Sequence, residues 1–332
     1  MSLIEKVKES IYKNSMFSGG NVVIVAVSGG ADSVFLFYSL LRLRHELSVR
    51  LHIAHFNHNF RKNSLKDQKF VEALSKKFNI PLTIGRLQKP KPKKGQSLEE
   101  FARNARLKFL SQTAKKQRAH RIALGHTKSD LAETVMMRVL RGSGLYGLRA
   151  ILPVRKIDGQ VYVRPLLDIT RKEIENFLKK KRIPFRTDET NHETKFFRNK
   201  IRLELFPMLK RNYNADIENV LANLSQSVSA DYDYLLSKAR GKLAETARHS
   251  KNGARIKLSI LQLKLLHPAL QRLLIRLSIE KLKGNTRRIT FSHIEQIRNT
   301  CLNEASQASV TLPGLLKIDR KTNTLFIATR SS

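Results

Sequence analysis

Six consecutive apolar residues, Val22 to Val27, interrupt an otherwise polar N-terminal stretch. An unbroken, largely β-branched run of this length predicts a strand buried on both faces, as in a parallel sheet. It ends at Ser28-Gly29-Gly30-Ala31-Asp32-Ser33, and an apolar pattern of helical period follows through Leu43. Residues 49–55 predict a second strand, which runs into the His- and Asn-rich segment Phe56-Asn57-His58-Asn59-Phe60-Arg61. A helix over 65–78 and a short strand at 82–84 come next. Lys89-Pro90-Lys91-Pro92-Lys93-Lys94 is too rich in proline for either element and predicts an exposed basic loop. Ser97, with Glu100 three residues on, opens a long helix. A strand at 121–124 and a helix at 130–140 complete the alternation.

Strands alternating with helices predict an α/β fold with a doubly wound, mainly parallel sheet and ligands at the carboxyl ends of its strands. The unusual polar clusters all fall at those ends. After about residue 215 the pattern becomes mainly helical, with strand character near 310–312 and 325–327. Two domains are expected, a catalytic one over 1–215 and a mainly helical one over 216–332.

Charge adds a partner to this picture. Lys and Arg total 63 against 27 Asp and Glu, a formal +36. Residues 1–215 hold 44 basic and 18 acidic side chains, and 216–332 hold 19 and 9. A surplus spread over both halves disfavours compaction and is explained economically by a polyanion that both halves touch. Any single run, such as Lys179-Lys180-Lys181-Arg182, is more ordinarily a solvated face. Cys301 is the only cysteine, which excludes an internal disulfide, a cysteine-rich zinc site and paired-thiol chemistry. With no leader-like start and no long apolar span, a cytoplasmic protein is expected.

The segment Ser28 to Ser33 sits between a buried strand and a helix. Its two glycines let the backbone turn tightly and present N–H groups, which with the helix N-terminus form an anion site. Ser28 and Ser33 offer hydroxyls; Asp32 would repel a bare phosphate and suits a magnesium ion bridging phosphates. No lysine follows the glycines, unlike the lysine-bearing loop of phosphate-transferring nucleotidases. Gly142-Ser143-Gly144-Leu145-Tyr146-Gly147 fits a dinucleotide fingerprint in spacing only, because it follows a helix pattern instead of a strand. Arg103 and Arg106 share one helix face and suit phosphate or developing negative charge. Asp130 and Glu133 are likewise three apart. His126 stands at a strand end, within reach of phosphates or of an acid.

The Ser-Gly-Gly-x-Asp-Ser string resembles the PP-loop of N-type ATP pyrophosphatases, which implies an adenine nucleotide alpha hydrolase-like fold and cleavage of ATP between its α and β phosphates. Four further stretches are similar to the tRNA(Ile)-lysidine synthase family: His55 to Arg61; Glu100-Phe101-Ala102-Arg103-Asn104-Ala105-Arg106; Gly125-His126 through Asp130-Leu131-Ala132-Glu133-Thr134 to Arg141-Gly142-Ser143-Gly144; and Asp188-Glu189-Thr190-Asn191 with Arg198-Asn199-Lys200-Ile201-Arg202. The resemblance covers residues 20–210. It implies ATP and Mg2+ on Ser28, Gly29, Gly30, Ala31, Asp32 and Ser33, with Asp32 the metal ligand and adenine near Ile53, Ala54 and His55. It implies catalytic work by Asp32, Arg103, Arg106, His126, Asp130 and Glu133. Arg141, Gly142, Ser143, Arg198, Asn199 and Arg202 fall on the tRNA side. The implied reaction joins lysine to carbon 2 of the wobble cytidine of isoleucine tRNA with anticodon CAU, through an O-adenylated cytidine, giving lysidine, AMP and pyrophosphate. Members often pair as homodimers.

The chain departs from the family's G-H-H-x-D-D string at two places, where Thr127 and Ser129 replace a His and an Asp. Asp130 and Glu133 remain, so an active member is expected. A PP-loop tRNA thiolase would need cysteines this chain lacks. A synthetase acting on a small molecule would not need +36; a non-catalytic RNA binder that kept the fold stays open, and Asp32→Ala decides against it by abolishing pyrophosphate release while leaving tRNA binding intact.

Overall fold

The structure, a computed structural model, describes residues 1–59, 64–87, 97–186, 197–249, 255–286, 288–302, 307–313 and 316–329. Arg61, the basic loop at 89–94 and the element Asp188 to Asn191 lie outside the described residues. The chain packs as two units, 1–143 with 147–225, and 144–146 with 226–332.

The first unit is built on a six-stranded sheet. Its strands are β1 (Val22–Ala26), β2 (Arg50–Asn57), β3 (Leu82–Arg86), β4 (Arg121–Ala123), β5 (Val154–Ile157) and β6 (Gln160–Val163), in the order β3-β2-β1-β4-β6-β5. All neighbours are parallel except β5, which folds back on β6 through a two-residue turn. Asp158 and Gly159 both take positive φ there, 48° and 80°, as the tight hairpin turn that matches strand twist requires. In chain order the helices to residue 212 are α1 (Leu3–Lys13), α2 (Ala31–Leu43), α3 (Ser64–Phe78), α4 (Leu98–Lys116), α5 (Lys128–Val139), α6 (Leu145–Leu148), α7 (Arg171–Lys180), α8 (Phe197–Lys200) and α9 (Phe206–Asn212). A π-helical turn, Ile201–Leu205, joins α8 to α9.

β1 alternates between two cores. Val23 and Val25, with Val27 just beyond, pack among Val7, Phe35, Leu36 and Leu178 from α1, α2 and α7. Ile24 points the other way, onto Leu110 and Ala114 of α4 and the Tyr162 ring. Each buried Val, Leu or Ile side chain contributes roughly 1.5–3 kcal/mol, so both faces anchor the strand and fix its register. From β1 the connections run outward to β2 and β3 on one side, and through β4 to β6 on the other. The carboxyl ends of β1 and β4 therefore part at the sheet's switch point, where an open α/β sheet leaves a crevice.

The second unit takes in α10 (Ile217–Thr246) from residue 226, then β7 (Arg248–His249), β8 (Arg255–Ser259), α11 (Ile260–Lys264), α12 (Pro268–Lys283), α13 (Phe291–Leu302), β9 (Gln307–Leu312), β10 (Leu316–Lys321) and β11 (Thr324–Thr329). It is mainly helical, but its strands form an antiparallel sheet in the order β7-β8-β11-β10-β9. Alternate residues Ile256, Leu258, Ile318, Leu325 and Ile327 face Ile275, Ile279 and Ile297 of α12 and α13. Lys and Arg at the intervening positions mask the strand pattern of β8 and β10 in the sequence.

Candidate active site

The turn from β1 into α2 is shaped by its own side chains. Gly29 is buried at φ +98°, a conformation that strains any L side chain. Ser33 Oγ donates to the Gly30 carbonyl (2.9 Å), lies 3.0 Å from Ser28 Oγ, and accepts from the Ser28 N–H (3.1 Å). The Ser33 hydroxyl is thus spent on holding the loop, and Ser28 is the exposed one. Gly30 caps α2 with no side-chain hydrogen bond, so the first-turn N–H groups stay open, with the helix dipole behind them. Arg186 closes the far side, its N–H donating to the Gly29 carbonyl at 2.9 Å.

Gly125, just past β4, lets the switch point close up. A Cβ there would stand 3.2 Å from the backbone of Asp32 and from Ser33 Cα. Backbone yields less readily than a flexible side chain, so Gly125→Ala is expected to push back the first turn of α2. We expect a cost of about 1–3 kcal/mol and an ATP dissociation constant raised about tenfold, read by thermal unfolding and calorimetric titration.

Three carboxylates and three guanidiniums interlock beside this turn. Arg171, the first residue of α7, donates from Nε and Nη2 to Asp32 Oδ2 at 3.1 and 2.9 Å, and from Nη2 to Asp130 Oδ1 at 3.3 Å. Arg198 donates from Nη2 to Asp130 Oδ1 (2.9 Å) and from Nε to Glu133 Oε2 (2.7 Å). Arg202 holds both oxygens of Glu133 at 2.6 and 2.9 Å. Asp130 Oδ2 accepts from the Thr127 N–H and hydroxyl, completing the capping box of α5. Thr127, one of the two departures from the family string, is therefore the N-cap. Ser129, the other, donates to Glu218 Oε2 at 2.9 Å and accepts from the Arg171 N–H.

Burial lifts the Asp32 carboxyl to about 6, Asp130 adding to the rise and Arg171 opposing it. Burial also pushes Asp130 upward, but Arg198 and Arg171 outweigh it and hold that group below the usual carboxylate range. Asp32 Oδ1 is buried with no partner. An enclosed carboxylate oxygen without a donor suits one hard cation whose remaining ligands are phosphate oxygens and water. No cluster of three or more His, Cys, Asp or Glu suited to a metal occurs among the described residues.

The site also carries an excess of buried positive charge. Arg106 on α4 has an enclosed Nε without a hydrogen-bond partner, and burial followed by Arg103 and Arg198 depresses its ionisation. Arg164, just past β6 and 6 % exposed, anchors Nη1 on the Leu152 carbonyl at 2.7 Å and leaves Nε unpartnered. Burial, with Arg155 and Arg103, lowers its pKa to about 10. His126 lies in the field of Arg164, Arg106, Arg198 and Asp130, and burial keeps it neutral, far below the usual imidazole range. Neither Arg106 nor Arg164 has a carboxylate partner among the described residues. Desolvated guanidiniums without counterions call for an anion.

Asp32, Asp130, Glu133, Arg198 and Arg202 thus form one network, with His126 and Arg106 beside it. Arg103 is exposed. Arg198 and Arg202, which the resemblance puts on the tRNA side, clamp the two acids of α5, because their four-residue spacing sets both on one helical face. Ile53 and Ala54 are spent in the two cores, and the Ala54 carbonyl accepts the Val27 N–H, so neither presents open surface to an adenine. His55 is buried too, with Nδ1 2.8 Å from the Val27 carbonyl. A carbonyl only accepts, so Nδ1 carries the proton and Nε2 is left as a buried acceptor without a partner. Gly142, at φ +67°, ends α5 with its N–H on the Val139 carbonyl, and the Ser143 N–H reaches the Arg138 carbonyl. Arg141 and Asn199 are exposed and half-buried respectively. Arg171 and Arg164 carry no motif in sequence; their one signal is position, a helix start and a strand's carboxyl end.

Residues 2–209 match the PP-loop domain family, and 258–326 match the TilS substrate binding domain. The tRNA(Ile)-lysidine synthase of Clostridioides difficile (strain 630) is 33 % identical over 98 % of this chain and 70 % of its own length. That of Clostridium tetani (strain Massachusetts / E88) is 35 % identical over 95 % and 67 %. Among solved structures, the U34-tRNA thiolase NcsA from Methanococcus maripaludis superposes with a TM-score of 0.58 at 17 % identity, covering 68 % of this chain and 77 % of that one, a likeness of fold alone. With the loop, the acid–arginine network and these matches agreeing, the chain belongs to the tRNA(Ile)-lysidine synthase family.

Proposed function

We propose that the chain is an ATP-dependent ligase that forms lysidine in isoleucine tRNA, taking L-lysine as the amine and the wobble cytidine of a CAU anticodon as the acceptor. The observation that carries this reading is the uncapped N-terminus of α2 beside the unpartnered, buried Oδ1 of Asp32. Triphosphate settles on the N–H groups of residues 29–33, with adenine against the end of β2, where the His55 Nε2 offers an acceptor. Asp32 would hold Mg2+, which when bound neutralises phosphate charge and helps pyrophosphate depart.

The reaction divides into two displacements. The 2-carbonyl oxygen of cytosine attacks the α-phosphorus, an O–P bond forms, and the bond to the β-phosphate oxygen breaks to release pyrophosphate. Arg106, Arg164 and the exposed Arg103 stabilise the charge that gathers on the phosphates. The lysine ε-amine, having given up a proton, then attacks carbon 2; the C–N bond forms and AMP leaves with the oxygen. Asp130 and Glu133 are the acids that attract the amine, and Glu133 takes its proton. Because Arg198 and Arg202 occupy them in this structure, an incoming ammonium displaces a guanidinium to reach Glu133. Asp130 is pinned by its capping box and serves to position.

The cytosine leaves its stack to enter the crevice, as bases do in other base-modifying enzymes. The basic surface supplies salt-dependent contacts to the RNA backbone. The second unit, with its match to the substrate binding domain, carries part of them, and a homodimer is the expected assembly. No described helix is long and apolar enough to cross a membrane. The test is incubation with ATP, magnesium, labelled amino acids and bulk tRNA. Label from lysine alone, in CAU-anticodon isoleucine tRNA alone, is the expected result. No incorporation, or incorporation of another amino acid, overturns the assignment.

A further inference from the structure

The segment that clamps the catalytic acids has a second face. Arg198 and Arg202 point to Glu133, while Phe197, Ile201 and Leu205, also four apart, line a cleft of about 320 Å³ completed by Leu140, Lys200, Glu204 and Met208. Large apolar side chains stand open there: Leu140 is 54 % exposed, Phe197 44 % and Met208 43 %. The helix is deformed at this point into the π-helical turn Ile201–Leu205, a distortion that recurs at functional sites. Pro207, which lacks an N–H to return to the ladder, stands two residues beyond its end.

The charges around the cleft decide what fits it. Glu204 and Lys200 lie 4.0 Å apart and offset one another. Arg141 holds its guanidinium 5.3 Å from the centre of the Phe197 ring and has no carboxylate partner among the described residues. Arg138, one turn back on α5, is exposed as well. An apolar floor, one aromatic ring and a cationic rim match a nucleobase with its phosphate attached; a hydrophobic protein segment would offer the arginines no anion.

We propose that this cleft is a nucleobase subsite, in which an unstacked base of the anticodon loop flanking the reacting cytidine lies on Phe197 with its phosphate on Arg141. The proposal rests on the tRNA-modifying function above. It gives the enzyme a second grip on the loop, on the same helical turn that orients the acids, so that seating the neighbouring base and setting Arg198 and Arg202 are mechanically linked.

The test uses the full chain and an isoleucine tRNA anticodon stem-loop carrying 2-aminopurine at each loop position in turn. With the unsubstituted protein, one position next to the wobble base is expected to lose fluorescence by stacking. Phe197→Leu, which keeps apolar bulk and removes the ring, is expected to abolish that change and raise KM for tRNA about tenfold with KM for ATP unchanged, whereas Phe197→Trp retains both signals. An unchanged KM for tRNA in Phe197→Leu overturns the subsite. If light scattering then shows a dimer dissociating, the cleft belongs to a second copy; if only the melting temperature falls, it belongs to a segment of the same chain. Failure of the unsubstituted protein to transfer lysine to any tRNA strikes the function itself and is read separately.

Discussion

Asp32→Asn is expected to abolish pyrophosphate release, by about a thousandfold or more, and at the same time to stabilise the ligand-free protein at neutral pH. The first effect follows from losing the anionic oxygen that would hold the metal. The second follows from the raised pKa of this carboxyl, about 6 in the fold against an ordinary 3.8. Below about pH 4 the carboxyl is protonated in both folded and unfolded chains and contributes nothing to the difference. Between pH 4 and 6 the unfolded chain ionises while the fold still holds its proton, so stability falls as pH rises; above 6 the full cost is present. With the side chain 18 % exposed, that cost is on the order of 2 kcal/mol. Thermal unfolding from pH 4 to 8 should show the variant melting a few degrees higher above pH 6, and the gap closing towards pH 4. Equal melting temperatures at pH 7.5 would mean that Arg171 fully compensates Asp32 and that no stored cost awaits a cation.

The sheet was legible because β1 is wholly apolar, and because a Gly-Gly turn between strand and helix leaves few alternatives. The N-terminal helix α1 and the β5–β6 hairpin were not read, although the Asp158-Gly159 turn is a local hairpin signal that could have found the latter. Strands β8 and β10 were hidden by Lys and Arg on their polar face, where alternation reads as charge and not as sheet. In the site, Asp32, Asp130, Glu133 and Arg106 stood out as motif residues, and the fold brings them together. Arg171 and Arg164 could not be found that way, since each reaches the site from an element outside every motif in the sequence. What a motif also hides is saturation: Asp130 and Glu133 look like free acids in sequence, yet all four of their oxygens are engaged.

That saturation makes Glu133→Gln the most informative change at the second step. The Glu133 side chain is 4 % exposed and accepts three guanidinium hydrogen bonds, from Arg198 Nε and from Arg202 Nε and Nη2. Glutamine keeps one acceptor and turns two N–H donors towards guanidiniums, so both arginines lose their main counter-charge. Removing one partner of such a buried cluster costs about 3 kcal/mol, and the variant should unfold correspondingly earlier. If Glu133 takes the proton of the attacking amine, tRNA-dependent pyrophosphate release persists while lysine transfer falls about a hundredfold, and adenylated tRNA accumulates. Glu133→Asp, which restores the charge at a shorter reach, should recover most of the stability but little of the transfer. Rapid-quench measurement of pyrophosphate and lysyl product in the same samples separates the steps. Equal losses in both, rescued in both by Glu133→Asp, would reduce Glu133 to a strut that holds Arg198 and Arg202, and would leave the amine's proton to another acceptor.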